Sequence, residues 1–231
     1  MAVYDLEEQE QIAALRSWWK QYGGWAVGIL LIIALGGLGW YGWQSYLKTQ
    51  NAEASRVFLV LQQASAQQNT AQVKQAAGEL VNQYPRSQFA SLGALLAATT
   101  LEAAGDAKSA EAQLIWVADN AKDAVRGVAR LRLAGIQMDQ KDYDAALKTL
   151  SETAPPGFAA RFDAARGDIY VAQGKLVEAR ASYDAALKNL DANTKEVTPN
   201  SEFAGSEPGQ LLRRLVVEKR DALTTNVATG K

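Results

Sequence analysis

A chain of 231 residues, 48% of them hydrophobic and with a net charge of −1, has room for one ordinary domain plus a membrane segment. It holds neither cysteine nor histidine, which excludes disulfides, thiolate chemistry, a cysteine-linked lipid anchor, histidine-ligated metals and a Ser-His-Asp triad. No block of basic residues offers a surface for nucleic acid.

The first predicted element is an amphipathic tail over residues 1–22. Asp5, Glu7, Glu8 and Glu10 suit the positive end of a helix. Ile12, Leu15, Trp19 and Tyr22 then follow at helical spacing, and Trp18 widens that stripe. Two readings fit: a helix lying against lipid, or a docking helix for a membrane partner.

The second element is a transmembrane helix over residues 23–43. These 21 residues carry no charge and, at about 1.5 Å per residue, cover roughly 30 Å, the hydrocarbon thickness of a bilayer. Trp18, Trp19, Tyr22 and Trp25 flank one end, and Trp40, Tyr41, Trp43 and Tyr46 the other. Five of the six tryptophans fall in these two belts, where amphipathic rings meet the headgroups. A cleaved signal peptide fits poorly, because the run is too long and its start is acidic. Arg16 and Lys20 before the span tie with Lys48 and Arg56 after it, so the charge count alone does not orient the helix. A short tail before a long apolar segment behaves as a signal anchor, which places the tail inside and the large domain across the membrane. Gly24-x-x-x-Gly28 fits a helix-packing face. With Trp18 and Trp19 it makes the candidate contact for a membrane partner, although glycine is common in membrane helices in any case.

From residue 44 to 192 the chain reads as helix, turn, helix, with no period-2 strand. Gly167, Tyr170, Gly174, Ala179, Tyr183 and Ala186 have the small–aromatic–turn–small–aromatic–small order of a tetratricopeptide repeat. Small residues let helices approach, aromatics fill the gap and Gly174 makes the turn. Ala134, Gln137, Lys141, Ala146 and Leu150 hold the same positions one repeat earlier; Gln137 and Lys141 depart from the pattern. Ala98, Leu101, Gly105, Ala110 and Leu114 hold them one repeat earlier still. Residues 50–84 read as another pair with Val57, Leu61, Val73 and Leu80 in its core, without the small residues. The fold class is therefore all-α: one N-terminal transmembrane helix, then a tetratricopeptide-like α-solenoid. Residues 193–209 are expected as a loop, 210–224 as a capping helix and 225–231 as a disordered tail.

No cofactor and no enzyme follow from these residues. Walker, Rossmann and nucleophile-elbow patterns are missing. Asp139, Asp142 and Asp144 cluster at a turn, where helix capping and solvation explain them better than a metal.

The Glu7-Glu8-Gln9-Glu10-Gln11 stretch, Leu15, Trp18-Trp19-Lys20 and Tyr22-Gly23 leading into the span together resemble the YfgM family, the ancillary subunits of the bacterial Sec translocon. Gln83-Tyr84-Pro85-x-Ser87 and Leu211-Leu212 running to Lys219-x-Asp221-x-Leu223 extend the resemblance over nearly the whole chain. The resemblance implies a single-pass bacterial inner-membrane protein, its N-terminus cytoplasmic and its repeats periplasmic. It also implies association with the SecYEG translocon, with a PpiD-type periplasmic chaperone and with translocating client proteins, beside the membrane lipid that the span requires.

Function would then be binding by the inner helices of the repeats. Repeat alignment nominates Leu95, Thr99, Glu102, Leu131, Met138, Arg161 and Asp168 for a partner groove; for each, ordinary core or solvated surface is the competing reading. A membrane-anchored scaffold of another bacterial envelope assembly complex is the alternative, since the fold alone does not choose between such roles.

Overall fold

The computed structural model describes residues 4–195 and 207–229; the side chains of 4–15, 193–195, 207 and 224–229, and of Ser17, Gly23, Ala26, Val27, Leu31 and Leu47, lie outside the description. The chain divides into Met1–Ala52 and Glu53–Lys231. One helix, α1 (Tyr4–Ala66), supplies the first unit and the first helix of the second. No proline interrupts α1, which removes the strongest reason for a helix to stop.

In the first unit, Trp25, Ile29, Leu30, Ile32, Ile33, Leu35 and Leu38 all expose their side chains. Trp18 packs on Tyr22, one turn away, with ring centroids 6.0 Å apart, and Trp43 on Tyr46 at 6.3 Å. Among the described residues no helix is long and apolar enough to cross a membrane. Ala26, Val27 and Leu31, in the middle of the expected span, are not among the described side chains, nor are Ile12 and Leu15 of the amphipathic stripe.

The second unit is all helix among its described residues. After α1 come α2 (Thr70–Gln83), α3 (Gln88–Ala103), α4 (Ala107–Asn120), α5 (Asp123–Asp139), α6 (Tyr143–Ser151), α7 (Ala159–Ala172), α8 (Leu176–Lys195) and α9 (Glu207–Thr229). From α2 onward each packs on the next helix in the chain, and α5 also touches α3 and α7. That is the pattern of stacked helix pairs, in which each pair covers the apolar face of the next.

One backbone device makes every pair. Gly105, Lys141 and Gly174, the same position in the three repeats, take φ of +79°, +64° and +75°. In each turn the next amide reaches back five residues: Asp106 N to Leu101 O at 2.8 Å, Asp142 N to Gln137 O at 2.8 Å, and Lys175 N to Tyr170 O at 2.9 Å. These are Schellman closures, which satisfy carbonyls that a helix end leaves open. Asp106 and Asp142 then cap the next helix by accepting from Ser109 N and Ala145 N, both at 3.1 Å. Asp142 is thus a helix cap, the role expected for the aspartate cluster. The α1–α2 pair makes the same turn at Gln68, φ +55°, with Asn69 N donating to Ala64 O at 2.9 Å. The repeat geometry therefore begins one pair earlier than its small residues reveal.

Close approach explains the small positions. A Cβ on Gly167 would lie 2.4 Å from the Tyr183 ring, and one on Gly93 would lie 2.4 Å from Leu80 Cδ1. Leu61, Val73, Leu80, Leu101 and Leu114 are fully buried in the first core, with Val57 at its edge. Gln137, at the position of an aromatic or leucine in the other repeats, is buried but satisfied. It accepts from Thr149 Oγ1 at 2.8 Å and donates to Glu111 Oε1 at 3.3 Å. Buried Asp163 similarly holds Arg166 and accepts from Asn189 Nδ2 at 2.6 Å, which ties α7 to α8.

The terminal helix is longer than expected. It begins at Glu207 and reaches Thr229, because Pro208 is tolerated in a first turn and no glycine or proline follows Gly209 until Gly230. The tail expected to be disordered from residue 225 is therefore helical to Thr229. Of the loop expected over 193–209, residues 196–206 lie outside the described residues. Val216 and Leu223 are buried against Ala186, Leu187 and Leu190 of α8. Arg213 pairs with Asp191, and Arg220 with Asp184 at 3.5 Å.

Candidate functional site

The first helix of each later pair, α3, α5 and α7, lies beside its counterpart in the next. Three of the seven nominated groove residues meet in one place. Leu131 and Met138 of α5 line a cleft of about 180 Å³ with Gly135, Ala165, Ile169 and Asp168. Small residues open this cleft: Gly135 and Ala165 leave room where larger side chains would close the gap between helices.

The α3 residues form a separate rim. Thr99 Oγ1 donates to Leu95 O at 3.0 Å and accepts from Arg132 of α5, so Thr99 and Arg132 bridge neighbouring pairs. Glu102 is exposed one turn on. Leu95 is half-buried and packs on the first core, so most of its apolar surface is spent there. Arg161 stands in the first turn of α7 with its guanidinium 5.2 Å from the Phe158 ring, a cation–π distance. Seven residues separate it from Asp168, about 10 Å along the helix, and it does not line the cleft.

Asp168 is already engaged. Tyr183 Oη donates to Asp168 Oδ1 at 2.7 Å, and Lys219 Nζ donates to its two oxygens at 2.7 and 2.8 Å. Burial, followed by the Asp168 carboxylate, pushes the Tyr183 phenol well above its usual range, so the phenol remains a donor. Lys219 comes from α9, 51 residues away, and repeat alignment gives no hint of it. Gly135 was readable: it occupies the repeat position of Thr99 and Asp168. Trp18, Trp19 and Gly24 are exposed in the first unit, and Gly28 is partly so. A Cβ on Gly24 or Gly28 would meet nothing within 4 Å, so the close-approach face that this spacing makes is open.

Stacked helix pairs sharing one repeated turn, with a small-residue cleft between their first helices, define a tetratricopeptide-type scaffold. The family model described as a tetratricopeptide repeat-like domain matches residues 16–200. The chain is 34% identical over 187 residues to the ancillary SecYEG translocon subunit of Neisseria gonorrhoeae, covering 80% of this chain and 90% of that one. It is 31% identical to the protein of that name from Haemophilus influenzae, covering 80% and 91%, and 27% identical to the one from Escherichia coli K12, covering 86% and 93%. No solved structure matches the chain significantly. The chain belongs to the YfgM family, the one its N-terminal residues resemble.

Proposed function

We propose that this chain is a non-enzymatic ancillary subunit of the Sec translocon that binds other proteins through its repeat domain. The observation that carries the reading is the pair of relatives named ancillary SecYEG translocon subunits, at 34% and 31% identity over nearly their full length. The α5–α7 cleft supports a binding role, being lined mostly by apolar and small residues of two neighbouring first helices.

The finer reading follows the sequence. The uncharged stretch 23–43 is the single inner-membrane anchor, with the N-terminus cytoplasmic and the repeat domain periplasmic. Trp18, Trp19, Gly24 and Gly28 face the channel or lipid. The repeat domain, held near the channel exit, receives translocating clients and passes them to a membrane-anchored periplasmic chaperone of the PpiD type. Tethering raises the local concentration of the cleft, so weak contacts suffice.

Co-purification of the full chain in mild detergent tests this. SecYEG and a periplasmic chaperone are expected with the native chain. A variant carrying Leu131→Glu and Met138→Glu is expected to keep SecYEG and to lose the chaperone or clients by about tenfold, since each buried charge opposes an apolar contact. Recovery of a different envelope complex in place of SecYEG would replace this reading by that of a scaffold.

A further inference from the structure

We propose that the α5–α7 cleft is a receptor for a cationic side chain flanked by apolar residues, and that Lys219 of α9, paired with Asp168 at the edge of the cleft, competes with that side chain when no partner is bound. The inference rests on the protein-binding reading of this face and adds the chemistry of its occupant.

The cleft has one charged group, Asp168, at the edge of an apolar lining made by Leu131, Met138 and Ile169. A carboxylate in that setting selects a cation, because an ammonium or guanidinium both neutralises it and donates to it. The molecule already provides the example. Lys219 Nζ sits 2.7 and 2.8 Å from the two Asp168 oxygens, a bidentate arrangement. Tyr183 Oη, at 2.7 Å, holds the carboxylate in place from the α8 side. Tyr183 is itself fixed by its contact with Gly167, so the acid stays oriented whether or not Lys219 is present.

The Lys219 contact is separable from the docking of α9. Val216 and Leu223 hold the helix by burial, and Arg213 and Arg220 add ion pairs to α8. The Lys219–Asp168 pair is about one-third exposed on both sides, where such a pair adds little to stability. A partially solvated pair of this kind exchanges readily with an incoming cation. The partner segment would thus carry a lysine or arginine between leucine-sized residues, and it must displace Lys219 to bind.

The test uses the full chain in phosphatidylcholine nanodiscs and two labelled peptides, Gly-Ser-Leu-Ala-Leu-Lys-Leu-Ala-Leu-Ser-Gly and the same peptide with Gln for Lys. The native chain is expected to prefer the Lys peptide. Lys219→Met is expected to tighten that peptide by about tenfold, the gain from removing a competitor that occupies the site about nine-tenths of the time, and to leave the Gln peptide unchanged. Lys219→Arg is expected to behave as the native chain, and Asp168→Asn to erase the preference. Unchanged or weaker Lys-peptide binding in Lys219→Met, at an unaltered unfolding midpoint, would overturn the inference. So would a preference that survives Asp168→Asn. The Leu131→Glu, Met138→Glu variant separates the two levels. If it loses both peptides while the native chain does not distinguish them, the cation receptor is wrong and the groove stands. If it binds both like the native chain, or if no variant binds either, the groove reading fails as well.

Discussion

Lys141 shows what a repeat costs when one residue departs from its pattern. The turn demands a left-handed backbone, and the other two aligned repeats meet it with Gly105 and Gly174. At Lys141 a Cβ is forced into the same conformation at φ +64°, a strain of roughly 1 kcal/mol. Lys141 is exposed, so its side chain returns little. Lys141→Gly is therefore expected to stabilise the domain by about 0.5 kcal/mol, the strain relieved less the added freedom of the unfolded chain. Urea unfolding measures this, and a loss of stability would mean that the lysine makes a contact worth more than the strain. Gly167→Ala has the opposite sign. Its Cβ would stand 2.4 Å from the buried Tyr183 ring, and overpacking of that kind costs about 1–3 kcal/mol. The turn at Asp106 also carries a pH signature. Hydrogen bonding to Lys74, then to Ser109, pulls the Asp106 carboxyl from 3.8 down to about 2. Its folded value lies below its unfolded one, so its stabilisation is present above 3.8 and is lost as pH falls toward about 2. Asp106→Asn is expected to narrow its melting-temperature deficit against the native chain across that interval. A deficit that stays constant through it would place the effect in packing.

At the scale of elements, α9 is the most consequential helix that the repeats do not encode. It seals the open face of α8 with Val216 and Leu223. Val216→Asp buries an unpaired charge, a change expected to cost about 3 kcal/mol or more. Because stacked repeats couple mainly to their neighbours, hydrogen exchange should accelerate in α8 and α9 and remain native-like in α3 and α4. Uniform acceleration would show a single cooperative unit instead. The helix itself was legible from the spacing of Leu212, Val216 and Leu223, but its partner was not: the Lys219–Asp168 pair joins residues 51 apart with no pattern between them. The pairs α3–α4, α5–α6 and α7–α8 were legible because glycine or its aligned substitute marks each turn. The α1–α2 pair hid its turn in Gln68-Asn69, and α3 approaches that pair through Gly93, whose Cβ would meet Leu80 and Leu61. In the candidate site, the aligned positions Leu131, Met138 and Asp168 line one cleft. Arg161, nominated for the same groove, lies elsewhere, since alignment gives a helix face and not the distance along it.

At the scale of the molecule, the two units carry different chemistries. The first exposes a run of large apolar and aromatic side chains from Trp18 to Tyr46, a surface that water penalises and a bilayer accommodates. The second is neutral, with 21 basic and 21 acidic residues from Glu53 to Lys231, and carries among its described residues the α5–α7 cleft with the Asp168 carboxylate in its lining. The proposed role, an anchored binding subunit of a larger machine, rests on that division together with the family to which the chain belongs. The most direct test of that account is site-specific photo-crosslinking in living cells from Gly28 and from Leu131. The account predicts that Gly28 reaches a subunit of the Sec channel and that Leu131 reaches periplasmic chaperones or translocating chains. Crosslinks from Leu131 to cytoplasmic proteins, or from Gly28 to a different envelope complex, would contradict it.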